Sequence, residues 1–374
     1  MKKKICFLLC LLSCVFSGCV SISIKEKSIE RIDFSLIPIA SKNTIMKVKP
    51  KQLYNVKATI REEGNKKIIK HPNYSELVFE SEDFEVIQHD RWNLIVAAKY
   101  PNLNHLYEKN YYITMYVKEN NFGGSFGKWL IDWKAFYELD YSGEDGEDGD
   151  DGLAGDSAVI INTSYSLNGE NGCSGSSGKN GEVKNLEVAF LYANGDEKFS
   201  DDTDRMLILY DAQKNETILM SASQRIILNF QGGNGGNGGD GGDGGDGGSF
   251  FQHHRSRSLD GGDGGNGGNG GNGGNGGVLK LILASGHEEL SNIFDIRLHG
   301  GFGGNGGRGG HRGEAGVKVY HTKDGRTFEK RGSDGRRGID GKRGINGNNG
   351  SLLMLELNID KMFNNCPDIR KLLE

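Results

Sequence analysis

Residues 232–248 read GGNGGNGGDGGDGGDGG, and residues 261–277 read GGDGGNGGNGGNGGNGG. Each stretch repeats a triplet of two glycines and one asparagine or aspartate, and the period of three never slips. Internal repeats of this kind determine the architecture of a chain more strongly than any single motif. The fold must therefore be interpreted outward from these two stretches.

The same period of three occurs in four further stretches of the chain. One of them carries paired glycines in most triplets, and the other three keep one glycine in each triplet. We name the six stretches in chain order as run 1 (143–155), run 2 (169–181), run 3 (232–248), run 4 (261–277), run 5 (300–316) and run 6 (332–350). They hold 51 of the 59 glycines, so most glycines of the chain belong to these repeats and few lie in isolated turns.

Three structures are compatible with such runs. A flexible glycine-rich linker is one, but a linker needs no strict phase. A collagen triple helix is another, but collagen is rich in proline, and none of the five prolines lies in a run. The third is a bundle of polyglycine II helices, which have three residues per turn and must pair their N–H and C=O groups with neighbouring helices. We favour the third structure, and the sequence leaves open an intramolecular bundle or a trimer.

The glycine pattern also predicts which runs lie inside such a bundle. A run with two glycines per triplet offers two faces without side chains, so runs 3, 4 and 5 should be central and runs 1, 2 and 6 outer. We expect a β-carbon at Gly268 in run 4 to be tolerated far less well than one at Gly347 in run 6. The repeats resemble the polyglycine II bundles of insect antifreeze proteins and of some phage tail-fibre tip adhesins. That resemblance covers only the six runs and implies a rigid bundle that binds through its end loops.

The first 18 residues have the pattern of a signal peptide. Three lysines follow Met1, and residues 5–16 form an apolar segment that is too short to span a bilayer. The following sequence, Phe16-Ser17-Gly18-Cys19, resembles a bacterial lipobox, although Phe16 stands where leucine is usual. The resemblance implies cleavage before Cys19 and lipidation of its thiol, with the membrane as partner. Cys173 and Cys366 also remain in the mature chain, where they either pair or stay free.

The region between the signal peptide and run 1 divides in two. Residues 19–47 are predicted to be a tether. Residues 48–141 contain few glycines and many short alternating segments, which predict an immunoglobulin-like β-sandwich without its usual Cys…Trp…Cys signature. The predicted strands cover 54–61, 76–80, 84–88, 93–100, 111–117 and 133–140. We interpret Trp92, Trp129 and Trp133 as packing residues, with stacking on a carbohydrate as the alternative for Trp129 or Trp133.

Residues 142–350 should form a domain in which the runs alternate with β-segments. The predicted segments are 158–167, 183–193, 206–210, 217–230, 278–284, 293–299 and 317–331, the last of them a hairpin that turns at Asp324-Gly325. Residues 351–374 should add a last strand and a short helix that Pro367 opens. Glycine runs have no side chains to bury, so these segments must supply the hydrophobic core. The expected fold is mainly β, a sandwich followed by a polyglycine II bundle interleaved with strands.

We find no catalytic motif, and the sequence predicts no cofactor and no metal site. Matches to G-x-G-x-x-G are trivial products of the repeats, and His287 begins a zinc-protease pattern that lacks its second histidine. Acidic residues on one face of run 1 recur about 9 Å apart, which is too far for a single ion. The formal net charge of −5 argues against nucleic acid as a partner, since phosphate binding requires a basic surface.

The favoured function is therefore that of a non-enzymatic, membrane-anchored surface lipoprotein with a rigid repeat domain for structural or adhesive contact. The expected location is a bacterial membrane, the outer membrane or cell surface, and the expected partner is a host or envelope protein or a glycan. The alternative is an envelope hydrolase without a short motif. The link 249–260 joins the two most regular runs, and Phe250, Phe251, Arg255 and Arg257 in it are the ligand-binding candidates.

Overall fold

Strands make up most of the regular structure of this chain, so the predicted mainly β class is confirmed. The computed structural model describes residues 29–373, except residues 40, 42, 65–67, 71, 109, 118–123, 159–165, 193–204, 252–258, 288 and 323. Within that part, helices are few and short: α1 (His105–Glu108), α2 (Leu290–Ile293) and α3 (Pro367–Leu373), with 3₁₀ turns at Tyr74–Glu76 and Ile359–Lys361. Helix α3 begins at Pro367, as predicted.

Two sheets form the N-terminal region. One has the order β1-β3-β7-β6 with β4 beside β3, and the other has the order β2-β9-β8-β5. The strands are β1 (Ile29–Pro38), β2 (Lys47–Val48), β3 (Leu53–Glu62), β4 (Ile68–Ile69), β5 (Leu77–Glu80), β6 (Phe84–His89), β7 (Leu94–Ala98), β8 (Asn110–Val117) and β9 (Ser125–Ile131). The rings of Phe34 on β1 and Trp129 on β9 meet at a centroid distance of 5.8 Å, so both sheets contribute to the same core.

Strand β1 corrects the prediction of a tether over residues 19–47. It pairs along its length with β3, and Ile32 and Leu36 are buried. The sequence hid this strand because its polar residues, Glu30, Arg31, Asp33 and Ser35, interrupt the apolar ones. The ordered N-terminal region therefore includes residues that the sequence assigned to a linker.

Parallel strands lead directly into the runs. A three-stranded sheet precedes the odd-numbered runs, and its strands are β10 (Tyr137–Asp140), β14 (Ile226–Asn229) and β17 (Phe294–Arg297). The strands that follow the even-numbered runs also pair in parallel, and they are β11 (Val183–Tyr192), β16 (Val278–Ala284) and β20 (Ser351–Leu357). Antiparallel strands β12 (Arg205–Asp211) and β13 (Glu216–Ser221) extend this second sheet beyond β11. We call these two sheets the base.

The six runs lie side by side in two layers. Runs 1, 3 and 5 continue the first base sheet and run parallel to one another, as shown by the bonds from Gly146 N to Asn234 O and from Gly235 N to Phe302 O. Runs 2, 4 and 6 form the second layer and return in the opposite direction, and run 4 is joined to run 3 through Gly268 N and Gly239 O at 2.8 Å. Each kind of bond recurs at every third residue along a run, which matches the period of the sequence.

This arrangement confirms the central position of runs 3 and 4 and corrects that of run 5. Runs 3 and 4 each bond to four other runs, whereas run 5 and run 2 each bond to three, and runs 1 and 6 to two. Run 5 therefore lies at the edge of its layer. Its second glycine face is still covered, because a β-carbon at Gly303 or Gly306 would overlap a carbonyl oxygen of run 6.

The glycines of the outer run 6 are as tightly packed as those of the centre. A β-carbon at Gly268 would overlap the carbonyl oxygen of Cys173, and one at Gly347 would overlap that of Gly274. In the static structure, a β-carbon at Gly347 therefore has no more space than one at Gly268, contrary to our expectation. An outer run can nevertheless relieve such a contact by moving outward, because no run of this chain bonds to its far side.

The asparagine and aspartate of each triplet cross-link runs within a layer. Asn237 Oδ1 accepts from Asn305 N at 2.9 Å, and Asn266 Oδ1 accepts from Ile339 N at 2.8 Å. The same bond recurs from triplet to triplet along both layers. A short side chain with one acceptor oxygen suits this position, which explains the alternation of glycine pairs with Asn or Asp.

Side chains of run 6 close the edge of the bundle. Gly303 N donates to Asn346 Oδ1 and Gly309 N donates to Asp340 Oδ1, each at 2.8 Å. The corresponding N–H groups of run 3 donate to backbone carbonyls of run 5, so these side chains replace the oxygens of a further run. Terminal units of repeat proteins commonly carry such capping residues. The one-glycine pattern of run 6 therefore has a structural reason.

The hydrophobic core lies in the base and the N-terminal region, as the glycine content of the runs predicts. The buried cluster includes residues on β1 to β3, β7, β8, β11 to β14 and β16, and none from runs 1 to 6. Tyr141 stacks on Phe230 at 4.9 Å, at the point where the first two odd-numbered runs begin. Stability in the runs must therefore come from backbone hydrogen bonds and close packing rather than from buried apolar side chains.

Candidate binding site at the distal tip

The connections between paired runs all lie at the end of the bundle that is remote from the base. Odd-numbered runs lead away from the base and the next even-numbered run returns, so the described ends of the connections 156–168, 249–260 and 317–331 meet at that end. We call these three connections the distal tip. Ser166 Oγ donates to Asp260 O at 2.6 Å, which links the first two of them.

Phe250 and Phe251 lie in this tip, as expected for the link between runs 3 and 4. They form β15 (Phe250–Phe251), which pairs in parallel with the hairpin strand β18 (Val317–His321) through Lys318 and Val319. The side chains of Phe250 and Phe251, together with Arg255 and Arg257, lie outside the described residues. Their role as ligand-binding residues therefore stays a prediction.

The link between runs 5 and 6 forms the predicted hairpin. Strands β18 and β19 (Thr327–Arg331) are antiparallel, and Gly325 has a φ of +79°, which only glycine adopts readily. Thr322 N donates to Arg326 O at 2.8 Å and closes the turn. The pKa of the Asp324 carboxyl is lowered, chiefly by the hydrogen bond from Thr322, so this acid stays ionised.

An aromatic pair stands on the surface of this hairpin. Tyr320 and Phe328 face each other across the strands, and 37% and 53% of their side-chain surfaces remain exposed. Lys318 Nζ lies 4.8 Å from the centre of the Tyr320 ring. Exposed aromatic rings beside cations are typical of binding hot spots.

The flank of the hairpin towards run 6 carries more cations than acids. Arg312 and Arg331 approach the Asp334 carboxylate at 3.2 and 3.6 Å. A backbone hydrogen bond from Ala315 and these two guanidinium groups lower the pKa of Asp334. Arg326, Lys330 and Glu329 are also exposed on the hairpin, so cations outnumber acids at this part of the tip.

The sequence pattern predicts the hairpin but does not single it out as a candidate site. Tyr320 and Phe328 were assigned only to strands, although they are the exposed aromatic residues of the described tip. The signal was available in the alternation of VKVYHTKDGRTFEKR, which sets aromatic and basic residues on both arms of a Gly turn. Trp129 and Trp133 are 8% and 7% exposed and pack in the core, which supports their interpretation as packing residues. Trp92 is 51% exposed, which corrects the same interpretation for that residue.

A second polar cluster lies in the N-terminal region, in a cavity of about 620 Å³ lined by Ser81, Asp83 and His105. His105 Nδ1 lies 3.1 Å from Asn102 N and 3.0 Å from Asn102 Oδ1, and Nε2 lies 2.8 Å from Asp83 Oδ1. Ser81 Oγ donates to the Tyr112 carbonyl rather than to the imidazole. Both ring nitrogens are therefore engaged, and the cluster positions loops instead of pairing a nucleophile with a base.

The cysteines are separate in the folded chain. Cys173 is exposed in run 2 and Cys366 is half-buried beside α3, and both are free thiols, so the alternative of pairing between them is not realised. Cys19 lies outside the described residues. No helix in the described ranges has the length and apolarity needed to cross a bilayer.

Comparison with known proteins adds no relative to this picture. The chain matches no protein-family model, no curated protein sequence and no solved structure.

Proposed function

We propose that the protein is a non-enzymatic bacterial surface lipoprotein that holds its distal tip away from a membrane for adhesive or structural contact. The anchor is a lipidated Cys19, and the membrane is the outer membrane or the cell surface. A host or envelope protein or a glycan is the partner at the tip. The observation that carries this proposal is the placement of three connections at one end of the bundle and the hydrophobic core at the other.

In this proposal the six runs form an intramolecular bundle of polyglycine II helices. Three features support it. The sequence has a period of three, hydrogen bonds to neighbouring runs recur with that period, and glycine occupies the positions where a carbonyl group of a neighbouring run leaves no space for a β-carbon. A run of 17 residues then spans roughly 53 Å, at about 3.1 Å per residue. Partners within the same chain satisfy these N–H groups, which favours a bundle over a collagen-like trimer.

The N-terminal region acts as a spacer between the anchor and the bundle. We propose an immunoglobulin-like sandwich for it, on the basis of two largely antiparallel sheets that share one core. Contacts such as the stacking of Tyr100 on Tyr137 join it to the base rather than to the tip. The anchor and the tip are thus expected on opposite sides of the base.

Binding of the intact protein to arrays of glycans and matrix proteins tests the role of the tip. The double variant Tyr320→Ser/Phe328→Ser should lose at least about tenfold in affinity for its ligand, as expected when two hot-spot side chains are removed. A second variant, Phe250→Ser/Phe251→Ser/Arg255→Ser/Arg257→Ser, tests the neighbouring connection. Phe302→Ser is the matched control, because Phe302 is an exposed aromatic residue on run 5, away from the tip.

Two results would contradict this function. One is undiminished binding by both tip variants when their melting temperatures equal that of the parent. The other is an equal loss of binding in the Phe302→Ser control, which would place the contact on the flank of the bundle.

A further inference from the structure

A buried lysine lies where run 2 enters the base. Lys184 is the second residue of β11, and only 4% of its side chain is exposed. Its Nζ lies 3.1 Å from Asp211 Oδ2 and 3.1 Å from Glu182 Oε2. The ring of Tyr141 lies on another side, with its centre 5.2 Å from Nζ. The amine of Lys184 is thus enclosed by two carboxylates and an aromatic ring, and the proposed function does not use it.

The two oxygens of Asp211 are held differently. Oδ1 accepts hydrogen bonds from Gln213 N at 2.9 Å and from Lys214 N at 3.2 Å. Oδ2 is buried and, among the described residues, has no hydrogen-bond partner with acceptable geometry, although Nζ lies close to it. Buried polar atoms without such a partner are rare and call for an explanation. Two backbone donors on one carboxyl oxygen would also stabilise negative charge that develops there during a reaction.

We propose that Lys184 and Asp211 condense spontaneously to an isopeptide bond between Nζ and Cγ, with Glu182 as the proton carrier. Asp211 Oδ2 first takes one proton from the Lys184 ammonium group. The Nζ lone pair then attacks Cγ, and the electrons of the carbonyl group move to Oδ1, where the N–H groups of Gln213 and Lys214 hold them. Glu182 accepts a second proton from Nζ and delivers it to Oδ2. The Cγ–Oδ2 bond breaks, one water molecule leaves, and the carboxylate of Glu182 is regenerated.

The geometry favours this reaction and also sets its pace. Nζ and the carboxyl group are held in contact, and such proximity replaces a bimolecular encounter. Glu182 is 48% exposed, so it can exchange protons with solvent. Burial alone would lower the pKa of Lys184, but the neighbouring carboxylates of Glu182 and Asp211 outweigh burial and raise it. The free amine is a minor form, so the bond forms slowly and once in each molecule.

The bond would fasten the base at a point of mechanical load. Lys184 lies just after run 2, and Asp211 ends β12, the strand that pairs with β11. Force applied to the distal tip reaches β11 directly through run 2. A covalent link between β11 and β12 would keep the two strands together under that force, beyond what their ladder of hydrogen bonds provides.

Tryptic peptide mapping of the purified full-length protein tests this inference. Without the bond, trypsin cleaves after Lys184 and releases residues 206–214 as a separate peptide. With the bond, cleavage after Lys184 is blocked, and residues 180–198 and 206–214 appear as one branched species that is lighter than the sum by one water. We expect the branched species to predominate in the parent and to be absent in Lys184→Arg.

Two further variants separate the chemistry from folding. Glu182→Gln should fold and should melt like the unlinked variant Lys184→Arg. It should also lose most of the branched species. Asp211→Asn should still join the two peptides, with ammonia as the leaving group in place of water. A parent protein that yields residues 180–184, 185–198 and 206–214 as separate peptides in full amount would overturn the inference. Undiminished linkage in Glu182→Gln would overturn the role of Glu182 as proton carrier.

Discussion

The carboxylate oxygen Oδ1 of Asp243 accepts a hydrogen bond from the backbone N–H of His311 at 2.7 Å. This bond joins run 3 to run 5 from the solvent side, and Asp240 and Asp246 make the same bond one triplet away. The aspartates of the repeat are thus structural acceptors as well as charged surface groups. Their replacement gives a direct measure of how much this ladder stabilises the bundle.

We expect Asp243→Ser to be nearly silent and Asp243→Ala to lower the free energy of unfolding by about 0.5–1.5 kcal/mol, the usual range for one hydrogen bond. Ser249 makes the corresponding bond to Val317 N through its hydroxyl group at 3.1 Å, so serine can replace the carboxylate. Chemical denaturation and hydrogen exchange of the His311 amide report the effect. Equal loss in the serine and alanine variants would mean that charge matters at this position instead of the acceptor.

Substitution of Gly268 tests the close packing of the central runs. A β-carbon there would overlap the carbonyl oxygen of Cys173, and no flexible side chain is available to move aside. We expect Gly268→Ala to destabilise the protein by about 3 kcal/mol or more, at the upper end of the range for overpacked interiors. Thermal melting measures the change. Asn305→Ala is the matched control on run 5, because the side chain of Asn305 is exposed and the bundle uses its backbone N–H.

Gly347→Ala extends the same test to the edge of the bundle. Its β-carbon would overlap the carbonyl oxygen of Gly274, but run 6 can shift outward. We therefore expect a loss of stability between that of Asn305→Ala and that of Gly268→Ala. If Gly268→Ala melts with the parent, the runs are not closely packed.

The repeats could be interpreted from sequence because their period is strict and only glycine permits such close backbones. The order of the runs could not be deduced, since it depends on which strands of the base pair in parallel. The carboxylates of run 1 and the arginines of run 6 favour either these two runs side by side or one of them along the Arg308 and Arg312 side of run 5, and the structure has the second arrangement. Run 1 bonds to runs 2 and 3, and Glu144 pairs with Lys179 at 2.9 Å. Run 6 meets run 5 instead, where Arg312 pairs with Asp334.

At the distal tip, too, the sequence predicts one part of the candidate site and not the other. The link with Phe250 and Phe251 was chosen because its composition differs from its surroundings, and its position at the end of the bundle followed from the repeats. The exposure of Tyr320 and Phe328 could not be derived, because alternation along a hairpin does not reveal which face is covered. The pairing of β15 with β18 and the hydrogen bond from Val317 N to Ser249 Oγ bring the two connections together.

Acidification should weaken the contact between runs 5 and 6 at the tip. The pKa of Asp334 lies below its ordinary value of 3.8 because Ala315 N–H, Arg312 and Arg331 favour the carboxylate. An acid whose pKa is depressed by folding stabilises the protein above the unfolded pKa, and that contribution disappears as the pH falls through the folded pKa. We expect the melting temperature of the parent to exceed that of Asp334→Asn at neutral pH, with the difference shrinking as the pH falls through the lowered pKa of Asp334.

The asparagine variant is informative because its amide oxygen can still accept from Ala315 N–H. Only the charge and its attraction to Arg312 and Arg331 are removed. A difference in melting temperature that stays constant as the pH falls from neutral through the lowered pKa of Asp334 would show that the carboxylate charge contributes nothing to this contact.

Lipidation of Cys19 determines whether the proposed geometry exists in the cell. Residues 20–28 can bridge at most about 30 Å between the lipid and the start of β1, at roughly 3.3 Å for each extended residue. The N-terminal region would then lie near the membrane, with the bundle projecting beyond it. We expect the mature protein to partition into the detergent phase and to incorporate labelled palmitate, since several acyl chains anchor a protein stably.

Cys19→Ala should abolish the label and leave an unprocessed precursor or a soluble product, whereas Cys173→Ala should keep the label, because Cys173 lies in run 2. Incorporation of palmitate that survives Cys19→Ala would place the lipid elsewhere and remove the basis for the orientation of the tip.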